Sequence, residues 1–363
     1  MEKTLGLLIM IGLGVALQKK VGHADHLKGI KVLILSLALP ATIFVALLSV
    51  DLRSDLLALP FLGLLVNVLL IGVFAISSPL FPSINGSRKR TLMMLLPSLA
   101  PGLSCFPFIA EYLGDESLAF AALADVGNKF FVLIILYLLA MKWFVKTNKA
   151  NGKAGNKGSL KSMFIKMIEE PINMVMVVAL IMLGLGMNLN SLPESISSVF
   201  LRLSGIMAPL VLLFIGLAVK IQLKQIGSIL QLLTWRAGLL FIASALFVYF
   251  VPSLSPAMVL LVIVFPQSSC SFWPFAHMTM VNSQEKGDSK TFEIDFALQV
   301  LACSLPFSSL ISMGVLSFPS FSANPLYIGI IGVVLFTISL LPQLIAVVKK
   351  LITKDKNILA EAR

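Results

Sequence analysis

Charge is scarce in this chain. Asp, Glu, Lys and Arg make up 12% of its 363 residues, while 58% are hydrophobic and the mean hydropathy is +0.98. Ordinary globular proteins carry about 25% charged residues, so a soluble protein of this length could not bury so much apolar surface. Cysteine and histidine are rarer still, at three each. Cys105, Cys270 and Cys303 all fall in long apolar runs, so neither a disulfide framework nor metal-ligand spacing follows from them. His23 and His26 sit in a basic loop and His277 lies far downstream, which rules out a shared site by spacing. Also absent are G-x-x-x-x-G-K-[ST], H-E-x-x-H, G-x-S-x-G and any acidic cluster suited to a metal. A self-contained ATP-driven pump and an enzyme are therefore not expected. No cofactor is expected either, beyond H+ or Na+ as a coupling ion.

Present instead are apolar runs close to the roughly 20 residues that cross a bilayer as a helix. They predict an all-α polytopic membrane protein with eleven spans, at 4–17, 28–49, 56–79, 91–111, 116–141, 169–188, 197–219, 228–251, 256–280, 292–317 and 324–348. The first run, LGLLIMIGLGVAL, is preceded only by Glu2 and Lys3 and followed by QKK, unlike a cleaved signal peptide. It reads as a retained first helix. The net charge of +11 is not spread evenly. Lys19, Lys20, Lys28 and Lys31 follow the first span, and Arg88, Lys89 and Arg90 precede the fourth. A basic run from Lys142 to Lys166 follows the fifth, whereas Glu111, Asp115 and Glu116 mark the connection between. This alternation predicts an N-terminus outside and a C-terminus in the cytoplasm of a cell (inner) membrane. The loop SQEKGDSKTFEID (283–295) departs from it by being slightly acidic. Basicity here encodes topology and contact with anionic lipid in the bilayer, with no nucleic-acid partner.

The Gly-, Lys- and Asn-rich stretch KTNKANGKAGNKGSLKSMFIK (146–166) divides the chain. On either side, LALPATIFVALLSVDL (37–52) aligns with IMAPLVLLFIGLAVKI (206–221), setting Pro40 against Pro209 and Asp51 against Lys220 at an offset of 169 residues. The same offset sets Pro97 against Pro266. An odd number of spans per half inverts the second half, so the expectation is a 5+5 inverted repeat. Its parts are a first five-helix repeat (1–145), a cytoplasmic basic linker (146–168), a second inverted repeat (169–319) and an extra helix with a basic tail (320–363). Prolines break spans four and nine in equivalent places, within LMMLLPSLAPGLSCFPFIAEY (92–112) and LLVIVFPQSSCSFWPFAHM (260–278). Proline removes a helical hydrogen bond, and broken helices at membrane depth are tolerated where they pack in protein or line a cavity. In inverted-repeat transporters such helices meet at the midplane and bind the solute.

Several residues are candidates for that site. Pro101, Gly102, Ser104 and Cys105 follow the first break; Gln267, Ser268, Ser269 and Ser271 follow Pro266. The second group offers donors to a carboxylate, or bonds back to helix carbonyls. Asp125 and Lys129 lie four apart on one helical face with Asn128 beside them. They either neutralise each other or serve as an ion site (Asp125, Asn128) and a counter-charge for an anion (Lys129). His277 reads as structural, Glu293 and Asp295 as N-terminal caps of the tenth span, and Arg236 as an interface anchor.

At these residues the chain resembles the auxin efflux carrier family, among the bile/arsenite/auxin-type inverted-repeat transporters. The likeness runs through residues 7–44, through PGLSCFPFIAEYLGDESLAFAALADVGN (101–128) and through MAPLVLLFIGLAV (207–219). It implies a ten-helix carrier with a scaffold domain and a transport domain. It further implies elevator-type movement of a small organic anion such as a carboxylate, and a homodimer formed through the scaffold. The chain departs from the family at Ala100-Pro101-Gly102, where Asn-x-Gly is usual, at Cys105-Phe106-Pro107 and in its eleventh span. The alternatives are a transporter-derived sensor that binds without turnover and a sodium-coupled bile-acid-type symporter.

Overall fold

A computed structural model describes residues 2–49, 58–81, 84, 86–150, 171–218, 226–285 and 290–361. Among them there are helices and no strands. In chain order the α-helices are α1 (Glu2–Val21), α2 (Ala24–Leu33), α3 (Leu39–Leu48), α4 (Ala58–Ser77), α5 (Gly86–Leu95), α6 (Pro101–Ser104), α7 (Phe106–Phe130) and α8 (Leu136–Ala150). After the linker come α9 (Pro171–Gly184), α10 (Glu194–Gly205), α11 (Met207–Ala218), α12 (Ile226–Phe250), α13 (Pro256–Val264), α14 (Phe272–Gln284), α15 (Ile294–Ser317), α16 (Pro319–Ser322) and α17 (Pro325–Glu361). Among the described residues, seven continuous helical stretches are long and apolar enough to cross a membrane, and Met174–Gly184 and Pro256–Gln267 are shorter apolar helices. The chain is a multi-pass helical membrane protein.

Local chemistry sets where the helices bend. Pro40 lacks an N–H and crowds the preceding turn, and the chain relieves this with a wide π turn at Ile34–Ala38 just before it. A second π turn, Phe131–Ile135, joins α7 to α8. Within α7 the backbone turns a corner at Gly114, where φ is 80° and ψ is −177°. Only glycine adopts that conformation readily. The corner falls in the Gly-Asp-Glu connection expected between the fourth and fifth spans, so those spans are two helices without a separate loop. The seventh span likewise divides at Ile206 into α10 and α11. The basic linker begins as helix, since α8 runs to Ala150. The rest of that linker, together with Asp51 and Lys220, lies outside the described residues.

Helices cross closely where glycines face each other. A Cβ on Gly127 of α7 would overlap Pro60 O of α4, and one on Gly63 would overlap Ala124 O. The pairs Gly14 with Gly216 (α1 and α11) and Gly238 with Gly332 (α12 and α17) are related in the same reciprocal way. Without a hydrophobic force between helices in lipid, such close backbone approach supplies the van der Waals contact that holds them. Every residue of α3 is buried, beneath α9 and α10 among others. Those two covering helices expose Val177, Val178, Ile181, Ile196 and Val199. Apolar side chains facing out from helices of this kind suit a hydrocarbon surround.

Two large clusters of buried apolar side chains make up the interior. One contains Leu99, Phe106, Val264 and Phe265, and the other contains Leu95, Leu96, Cys270 and Met278. Both α5–α6 and α13–α14 pass from one cluster to the other, and both unwind at that passage. As a test of the crossings, Gly127→Ala should destabilise the protein by about 1–3 kcal/mol through overpacking. Gly72→Ala, which meets open space, should leave thermal unfolding unchanged.

Candidate functional site

The centre of the molecule is the place where the two unwound segments cross. Ala100 and Ser269 form an antiparallel bridge, with Ala100 N donating to Ser269 O at 2.7 Å. Backbone groups that leave a helix in an apolar interior must find other partners, and here many of them do so through side chains. Leu99 is gripped by one amide: its N–H donates to Asn128 Oδ1 (3.1 Å), and its carbonyl accepts from Asn128 Nδ2 (2.9 Å). The carbonyls of Leu96 and Ser98 accept from Arg236 Nε (2.8 Å) and Nη2 (3.4 Å). Ala100 O accepts from Ser104 Oγ (3.0 Å) and Ser269 Oγ (3.4 Å).

The second segment is tied down by hydroxyls. Ser269 N donates to Ser104 Oγ (2.8 Å), Ser271 N to Ser98 Oγ (2.9 Å) and Cys270 N to Ser304 Oγ (3.3 Å). Ser268 bonds back, its Oγ donating to Phe265 O at 2.6 Å. Gln267 Nε2 donates to Ala237 O (3.1 Å), and the Cys105 thiol donates to Val264 O (3.7 Å). Ser104, Cys105, Gln267 and Ser268 therefore hold the crossing together and do not line the adjoining cavity.

That cavity has a volume of about 420 Å³ and abuts the crossing. Pro101, Gly102, Asp125, Asn128, Lys129 and Ser269 line it, as their place in the sequence suggested. It is also lined by Lys31 and Ser36 from the second span, by Phe106 and Phe214, and by Ser271, Phe272 and Trp273 at the start of α14. Asp125 and Lys129, 4% and 6% exposed, form an ion pair at 3.8 Å, and Asn128 Nδ2 donates to the other carboxylate oxygen at 2.7 Å. Lys31 Nζ stands 4.3 Å from the centroid of the Phe272 ring, a cation–π contact. The wall thus presents two ammonium groups to one carboxylate. The N-terminus of α14, capped by Ser271 Oγ accepting from Trp273 N (3.3 Å), adds the positive end of a helix dipole. Such a wall attracts a small anion and offers apolar and aromatic surface to the rest of it.

Two residues read otherwise in the sequence have other places. Arg236 is no interface anchor: it is 2% exposed and binds the broken fourth span. Glu293 occupies the N-cap position of α15, but its carboxylate accepts from Arg88 Nε (2.9 Å) and Ser87 Oγ (3.2 Å) instead of capping the helix. Asp295 lies in the first turn of that helix, and His277 Nε2 lies 3.0 Å from Val132 O in the π turn. Asn67 was not singled out, although a lone amide in the apolar stretch Ala58–Ser77 is a signal of its own. It is fully buried and donates to Asn128 Oδ1 at 2.7 Å. Lys31 was read only as a topology charge. No family model matches the chain, and no curated protein matches it.

Asn128 is the hub of this network. Asn128→Ala should lower stability by at least about 2 kcal/mol, because the Leu99 backbone groups and the Asn67 amide lose their partners. Asn67→Ala should cost clearly less, since Asn67 Oδ1 already has no hydrogen-bond partner among the described residues. Thermal unfolding of the two variants in lipid nanodiscs checks this, and equal losses would contradict the assignment.

Proposed function

We propose that this protein is a secondary transporter that moves a small organic anion across the membrane. The observation that carries this reading is the cavity at the crossing of two broken helices, with Lys31 and Lys129 set against Asp125 in its wall. An anionic headgroup sits between the ammonium groups and the N-terminus of α14, while Phe106, Phe214, Phe272 and Trp273 receive an apolar or aromatic body. Asp125 carries the coupling ion, a proton or a cation, and Lys129 passes its charge state to the solute through their ion pair.

An inverted repeat supports this reading. The bridged residues Ala100 and Ser269 are 169 positions apart, the offset that also relates Pro97 to Pro266. The packing of α1 on α11 and of α3 on α9 and α10 fits a scaffold, and that of α4 on α7 and α12 on α13 fits a moving domain around the crossing. The resemblance to the auxin efflux carrier family points the same way, with elevator movement of the second group along the first. In the orientation expected from the basic loops, Lys31 lies toward the cytoplasmic end of its helix.

The test is counterflow of labelled organic acids in proteoliposomes, with a pH or sodium gradient imposed in turn. Exchange should respond to one gradient, and Asp125→Asn should abolish that response. Lys31→Gln should weaken binding of the anion by about 10–100-fold, the loss of a charged hydrogen bond. Saturable binding with no exchange would leave a sensor in place of a carrier.

A further inference from the structure

We propose that Arg236 is a built-in cation, occupying the end of a broken helix that a metal ion would otherwise neutralise, so that the crossing is complete without sodium. The carboxyl end of a half-helix inside a membrane carries partial negative charge on carbonyls that have lost their helical donors. In transporters with discontinuous helices, such ends and the unwound carbonyls beside them are where sodium binds. Here the carbonyls just past α5 are those of Leu96 and Ser98, and both accept from one guanidinium. That guanidinium is 2% exposed and reaches them from the other half of the chain.

Among the described residues, the hydrogen bonds to the corresponding end of α13 come from neutral groups only. Val262 O accepts from Ser244 Oγ (3.0 Å), Val264 O from the Cys105 thiol, and Phe265 O from Ser268 N (3.2 Å) and Oγ. One positive charge is therefore supplied to the pair of breaks, and it is covalently attached. A guanidinium holds its donors in a fixed fork and is part of the chain, so unlike a bound ion it does not dissociate. Its mounting is rigid. The adjacent Ala237 O receives Gln267 Nε2 from the second break, and the next residue, Gly238, is pressed against α17. The preceding Trp235 packs against the rings of Phe74, Phe81 and Phe336. Two consecutive residues of α12, Arg236 and Ala237, thus brace both broken helices at once.

The inference rests on the geometry of the crossing and not on the identity of the solute, so its test needs no solute. Full-length protein in nanodiscs of neutral lipid is unfolded thermally in sodium, potassium or N-methylglucamine chloride at equal ionic strength. With Asp125→Asn in the background, which removes the site proposed for the coupling ion, the protein with Arg236 and the one with Arg236→Lys should each unfold at one temperature in all three salts. Arg236→Ala should unfold several degrees lower in N-methylglucamine and recover in a saturable way as sodium is added. If Arg236→Ala folds only when prepared in sodium, that also supports the proposal. A saturable, sodium-specific stabilisation of the Asp125→Asn protein with Arg236 intact would overturn it. So would an Arg236→Ala variant weakened equally in all three salts, which would leave Arg236 as an anchor alone. Either failure would stand even if counterflow of an anion succeeded.

Discussion

A backbone amide or carbonyl in hydrocarbon with no partner costs several kcal/mol, and two stretches at the centre of this protein have left their helices. The arrangement of the surrounding helices follows from meeting that cost. Residues 96–100 and 268–271 are joined by the bridge between Ala100 and Ser269 and by Ser271 N donating to Ser98 Oγ, and further groups of both are met by side chains. Asn128 comes from α7, Arg236 from α12 and Ser304 from α15, while Ser98 and Ser104 serve from the first break itself. Each of these helices has to stand at a definite rotation for its side chain to reach. The glycine contact of α4 with α7 and that of α12 with α17 hold the backbones close enough for this to happen.

The same constraint divides the polar residues into two groups. Ser104, Cys105, Gln267 and Ser268 are engaged with backbone carbonyls or N–H groups, so they maintain the irregular segments and leave the cavity wall to others. Lys31, Asp125 and Lys129 face the cavity. In an interior of low dielectric a net positive wall exerts its pull on an anion with little screening, whereas neutral hydroxyls contribute direction and little field. An anionic solute is thus favoured by charge, and the aromatic side chains nearby give its remaining surface an apolar place.

The prolines in the sequence point to the crossing with different accuracy. Pro97 lies inside the first break. Pro266 lies in a short 3-10 turn just ahead of the second, whose extended residues begin at Ser268. Proline forbids a hydrogen bond at its own nitrogen but does not say how far the chain travels before a new helix starts. That restart depends on Ser271, which caps α14, and on Ser98, which receives its N–H. The Asp125, Asn128 and Lys129 cluster was legible from helical spacing because all three lie on one helix. Arg236 was not, since a basic residue in an apolar helix looks the same in sequence whether it reaches a headgroup or a distant carbonyl. Glu293 likewise stood at a capping position, and only the approach of Arg88 from α5 redirected its carboxylate.

The sequence by itself determined that the chain is helical, apolar and multi-pass, where its helices break and which titratable residues lie within them. These are properties of composition, of local backbone chemistry and of spacing along a single helix. The tertiary structure decided which breaks meet, which polar side chains serve the backbone and which remain to face a cavity. Those outcomes depend on contacts between residues more than a hundred positions apart, as Arg236 and Leu96 are. Contacts at that separation leave no periodic trace in the chain, because the energy of satisfying a buried carbonyl is set by proximity in space.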